Sequence, residues 1–141
     1  MKLRQVGGKR KWRIVAPVDV VNGVEVCTFA DDLRAFEDNR MTSSAALGLD
    51  VIWGRVGDVG PKGLGTDLYH LIDPEHGIYE FIKGRLRVVC FEAPNGAICV
   101  CSCVFMKKTQ MAPRSHIRAA IALKKKVIAA LEKNLLEIVQ A

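Results

Sequence analysis

Arg85 and Arg87, set two residues apart, and the adjacent pair Lys107–Lys108 edge the most chemically pointed stretch of this chain, residues 78–110. Two apolar β-type runs there are joined by the turn Pro94-Asn95-Gly96. Cations at the end of such a strand pair cannot enter a dry core without partners, so they meet solvent or a polyanion. Side chains two apart on a strand share a face, and the guanidinium fork matches phosphate bidentately. Arg87, or Arg85 if the register is off by one, is the expected phosphate clamp. Lys107 and Lys108 point oppositely on a continuing strand, so one of them lines the site. Lys83, Arg114 and His116 are neighbouring candidates, although His116 reads more readily as a polar residue in the first turn of a helix. Tyr79 can stack on a ring or carry a proton, but an aromatic on a half-buried strand is more often packing. Glu80 can act as a base or pair with an arginine on the next strand.

The elements that must position these groups follow from periodicity. Trp12–Val21 reads as a strand, Asn22-Gly23 as a hairpin turn, and Val24–Phe29 as the returning strand. Asp31 and Asp32 favour a helix start, and Thr42 or Ser43 caps a second helix carrying Ala45, Ala46, Leu49, Ile52, Trp53 and Val56. Gly57 to Gly65 end it in a loop, and Asp67–Ile72 is short enough to be strand or turn. Ile78–Lys83, Arg85–Glu92 and Ala97–Phe105 are strands whose links are too short for a parallel crossover, hence antiparallel neighbours. Pro113 opens a long helix to about Val139, with Ile117, Ile121, Ile128, Leu131, Leu135 and Ile138 as its apolar stripe and Lys124–Lys126 outside it. This order gives an α+β arrangement: one twisted antiparallel sheet, two N-terminal helices and one long C-terminal helix.

The 141 residues fit one compact domain, half apolar and 26% charged. The net charge of +6 is uneven. Residues 1–13 hold six Lys/Arg and no acid, residues 105–141 hold eight against two acids, and residues 14–104 hold seven against thirteen. Basic ends on an acidic middle suit a nucleic-acid backbone or an acidic protein partner. Residues 1–11, glycine-containing and charge-dense, are expected as a disordered basic tail. No apolar run reaches the roughly 20 residues of a membrane helix, and no signal-type apolar stretch follows the basic start; a cytoplasmic, non-membrane protein is expected. Five cysteines, an odd set, argue against a disulfide framework. Cys99, Cys101 and Cys103 alternate onto one strand face without zinc-site spacing, which marks them as core and implies no metal.

The order of elements, the strand pair YEFIKGRLRVVCF and the run Phe105-Met106-Lys107-Lys108-Thr109, with Pro113 and then Ile117, Ala119 and Ala120, resemble the RelE/ParE toxin superfamily. The resemblance is to its phage-derived, HigB-like branch and spans about residues 64–133. It also rests on Tyr79-Glu80 and on Arg85 and Arg87. It implies the toxin of a bacterial toxin–antitoxin pair, held inactive by a cognate antitoxin in a hetero-oligomer. Most RelE- and HigB-like members cut messenger RNA on the ribosome, without metal or cofactor; ParE-like members inhibit DNA gyrase without nuclease chemistry.

Cleaving RNA with its own 2′-OH requires removal of that proton, charge stabilisation at the phosphate and help for the leaving oxygen. Arg87, Arg85, Lys107, Tyr79 and Glu80 are the catalytic candidates on this expectation, and Lys83, Lys108, Arg114 and His116 the RNA-binding ones. Some HigB-like nucleases place histidines and an aspartate near the C-terminus, and RelE-type enzymes a late tyrosine. Here no aromatic residue follows Phe105, the helix holds only His116, and no general base is assigned. Two other readings follow from the same residues: a ParE-like gyrase inhibitor, and a nucleic-acid-binding domain of a mobile element that grips backbone through its basic ends.

Overall fold

The computed structural model describes residues 1–94, 96–108 and 112–140. In chain order it contains β1 (Lys2–Gly8), β2 (Arg13–Val21), β3 (Val24–Val26), α1 (Thr28–Asp38) and α2 (Ser43–Val59). A short 3-10 turn (Pro61–Leu64) then leads to β4 (Tyr69–Asp73), β5 (Ile78–Lys83), β6 (Leu86–Glu92), β7 (Ile98–Met106), α3 (Arg114–Glu132) and β8 (Glu137–Val139). The strand order is β4-β5-β6-β7-β2-β1-β8, with β3 paired on β2. The α+β class expected from the sequence is the class found.

The sheet itself is mixed, and this corrects the antiparallel expectation. β4 to β7 form an antiparallel meander, but β2 lies parallel to β7 and β8 parallel to β1. Two helices and four strands separate β2 from β7, and α3 lies between β7 and β8; chain of that length permits a parallel return, which a tight turn does not.

Alternation along the strands sends side chains into two cores. Ile14, Phe81, Val88, Cys90, Cys99 and Cys101 meet Phe29, Leu49 and Trp53 of α1 and α2. Val15, Ile78, Val89, Phe91 and Val100 meet Ala120 and Val127 of α3 on the opposite face. Trp53 is fully buried and packs edge-on to Phe81, with ring centroids 6.0 Å apart.

Three further expectations are corrected. Residues 2–8, expected within a disordered tail, form β1, because Leu3 is wholly buried in the α3-side core and Val6 packs on the other. The second strand stops at Val26: Phe29 and Leu33, one helical turn apart, are both buried, so α1 starts at Thr28. The C-terminal helix ends at Glu132, not near Val139. Asn134 takes φ 57°, the Leu135 amide donates to the Ala130 carbonyl (2.8 Å) and Asn134 to Leu131 (3.1 Å), a Schellman end that releases the chain into β8. The buried positions of α3 are Ile117, Ala120, Val127 and Ala130. Lys125 and Lys126 are exposed as expected, but Lys124 turns inward: its Nζ donates to the His76 carbonyl at 2.6 Å and lies 6.0 Å from the Phe91 ring centre. Asn95 and Thr109, both used in the sequence reading, lie outside the described residues.

Candidate active site on the open end of the sheet

The hairpin between β5 and β6 turns on two residues, Gly84 and Arg85, with Lys83 paired to Leu86. Gly84 has φ 56°, the positive value that two-residue hairpins require of their first loop position. Arg85 is therefore an exposed turn residue, not a strand residue, and it shares no strand face with Arg87.

Arg87 lies on β6, on the α3 side of the sheet by alternation with Val88 and Val89. Its side chain is only 11% exposed. Nη1 donates to the carbonyls of Gly84 (2.8 Å) and Leu86 (2.9 Å), and Nε lies 3.8 Å from Glu80 Oε1. The freely exposed phosphate clamp expected at Arg87 is thus an arginine folded onto its own hairpin and facing a carboxylate.

Glu80 sits on β5, directly opposite His70 on β4. His70 Nε2 is 3.0 Å from Glu80 Oε1, and the His70 side chain is 37% exposed while that of Glu80 is 8% exposed. An ionised carboxylate only accepts, so with Glu80 ionised Nε2 is the donor in this contact and Nδ1 is left for other work. Glu80 Oε2 is buried and has no hydrogen-bond partner among the described residues. A buried acceptor left unpaired costs about 1–3 kcal/mol.

The row continues across the sheet. Arg87 pairs with Phe105 on β7, and the Phe105 ring stacks on His116 of α3 with centroids 4.6 Å apart. His116 also lines a groove of about 630 Å³ with Asp32, Phe36, Phe105 and Lys108. Lys107, whose amide donates to the Arg85 carbonyl at 2.7 Å, follows Met106 at the end of this row and is half-buried.

The remaining sequence candidates lie elsewhere. Tyr79 faces the α1/α2 side, stacked flat on Tyr69 at 4.7 Å, and Tyr69 donates to Glu92 at 2.9 Å. Burial pushes the Tyr69 phenol well above its ordinary value. Tyr79 is therefore packing rather than part of the Glu80 cluster. Lys83 runs along α2, where its Cγ and Cε crowd Gly48. Arg114 is exposed at the start of α3. The structure brings Glu80 and Arg87 together, stacks His116 on Phe105 one strand further on, sets Lys107 beside Arg85 at the hairpin end, and turns Tyr79 and Lys83 to the α1/α2 side.

His70 was missed by sequence reasoning. Its signal was a strand histidine facing a strand glutamate, but a bulge between Leu71 and Asp73 shifts the register beside the turn. Counting outward from that turn would misplace the partner by one.

A second imidazole–carboxylate pair lies on the β4–β5 turn, where His76 Nδ1 is 2.9 Å from Asp73 Oδ2. Asp73, Glu75 and His76 are the one grouping among the described residues with metal-ligand spacing. The Lys124 ammonium fixed beside His76 disfavours a cation there. No helix among the described residues is long and apolar enough to cross a membrane.

No protein-family model matches this chain, and no curated protein matches it.

Proposed function

We propose that the protein is the toxin of a bacterial type II toxin–antitoxin pair of RelE/HigB type, a metal-independent endoribonuclease that cuts messenger RNA on the ribosome in the cytoplasm. The observation that carries this reading is His70, half-exposed and held through Nε2 by buried Glu80, with Arg87 on the far side of that carboxylate. His70 Nδ1 takes the 2′-OH proton, and Glu80 orients the ring and stabilises the imidazolium that forms. Arg87 keeps positive charge beside the reacting phosphate, and the proton for the leaving 5′-oxygen comes from solvent. General acid–base groups of this kind contribute about 10²–10⁴-fold. A cognate antitoxin covers this face in the resting cell.

The test is controlled expression in a bacterial host with mapping of message ends. Wild type should arrest growth with cuts in translated messages, and His70→Ala should relieve arrest by lowering cleavage about 10²-fold or more. A toxic His70→Ala protein that still cuts would remove the mechanism.

The second reading, a ParE-like inhibitor of DNA gyrase, is favoured by one feature: Lys83, Arg85 and Arg87 do not converge on an open phosphate site. It predicts DNA-damage signalling with intact messages, and toxicity unchanged by His70→Ala.

A further inference from the structure

The basic segment at the start of the chain is a built surface. The link between β1 and β2 is a tight turn, Lys9–Trp12, closed by the Lys9 amide on the Trp12 carbonyl at 2.7 Å, with Gly8 at φ 79°. It is pressed onto α2. A Cβ on Gly57 would meet the Lys9 backbone nitrogen at 2.7 Å, and a Cβ on Gly60 would meet the Trp12 indole at 3.1 Å. Lys9 Nζ is spent on Asp58, at 2.9 and 2.8 Å from its two oxygens. The turn is therefore anchored at both ends, and Arg10 and Lys11 at its tip are exposed.

Beside it runs a groove of about 690 Å³ lined by Gln5, Lys9, Arg10, Arg13 and Gln140. Among the described residues no carboxylate lies within 4 Å of Arg10, Lys11 or Arg13. Arg13 alternates with Ile14, which enters the α1/α2 core, and so projects on the α3 side. Gln5 follows Leu3 by two on β1 and projects the same way.

We propose that this turn and groove bind the phosphodiester backbone of single-stranded RNA, with Arg10 and Arg13 on phosphates, Lys11 adding long-range attraction and the Gln5 and Gln140 amides bonding to sugar or phosphate oxygens. The groove is lined by arginine forks and amides, with no aromatic platform among its lining residues, so it reads backbone charge and not base identity. Only the choice of RNA over DNA rests on the function proposed above; the phosphate chemistry does not.

The experiment measures binding of oligonucleotides of about 12 residues, RNA and DNA, by fluorescence anisotropy across a salt series, in a His70→Ala background that prevents cutting. Each phosphate contact on a single strand contributes about 0.7 to the slope of log K against log salt. Arg10→Ala/Arg13→Ala should flatten that slope by about 1.4 and weaken binding, while Arg10→Lys/Arg13→Lys should keep the slope. Thermal melts verify that both variants fold. An unchanged slope in the alanine variant overturns the groove, whatever His70→Ala does to toxicity. A flattened slope together with full toxicity of His70→Ala leaves the groove standing and removes the catalytic role of His70. Equal binding of DNA supports the phosphate chemistry and removes the RNA preference.

Discussion

Glu80 holds His70 through Oε1, faces Arg87 across 3.8 Å and buries Oε2 without a donor. Two opposed demands meet on it. Burying its charge is costly, yet removing that charge strands an arginine that is itself nearly buried. Glu80→Gln should therefore lose activity about 10²-fold and also lose about 1–3 kcal/mol of stability, because Arg87 is left without its carboxylate. Glu80→Gln/Arg87→Met should regain most of that stability and none of the activity. A double-mutant cycle from urea denaturation, read beside cleavage rates, checks both halves; additive losses would show that the two side chains do not interact. Part of this pair was legible in the sequence, since a glutamate and an arginine on successive strands were expected to pair as an alternative to catalysis. The direction of the arginine fork was not legible. Nη1 turns back onto the Gly84 and Leu86 carbonyls because the two-residue turn presents them there, which no residue spacing encodes.

At the scale of elements, β1 and the end of α3 carry the largest departures from expectation, and each has a single residue that tests it. Leu3 is wholly buried between β1 and the α3-side core, so Leu3→Ala should cost about 2–5 kcal/mol, whereas truncating a residue in a disordered tail would cost nothing. Asn134 holds a left-handed backbone at φ 57° where glycine carries no Cβ penalty. Asn134→Gly should stabilise by a few tenths of a kcal/mol and Asn134→Ala should destabilise by about 1 kcal/mol, both read as shifts in the urea midpoint. The opposite order would mean that α3 runs on through this position. Charge density masked β1: six basic residues in thirteen suggest solvation, while the two that decide pairing, Leu3 and Val6, are a minority. Periodicity misled at α3, since Leu135 and Ile138 continue the helical stripe in spacing but belong to the turn and to β8. Asn134 was the available signal. The β5 and β6 strands and α2 were legible within about two residues, because each buries a face over its whole length.

Across the whole molecule, the sheet separates two cores, and thiols are concentrated at its centre: Cys90, Cys99 and Cys101 on the α1/α2 side and Cys103 packed against the α3-side core. Burial raises all four above the ordinary thiol value of 9.0, Cys103 to about 11. Folding therefore favours the neutral thiol. Below pH 9 both states are protonated and the thiols leave stability independent of pH. Above pH 9 the unfolded chain releases protons that the folded chain retains, so stability falls as pH rises. The Cys103 contribution levels off near pH 11. Each thiol in its window removes about 1.4 kcal/mol per pH unit, so four together remove at most about 5. Urea midpoints should be flat from neutral pH to about 8.5 and then fall steeply, with tyrosine–glutamate packing at Tyr69 adding to the loss above pH 10. Cys90→Ala/Cys101→Ala should be less stable at neutral pH, through the cavities it leaves, and yet lose stability about half as fast with rising pH. Equal slopes in the two proteins would place the alkaline sensitivity outside the buried thiols.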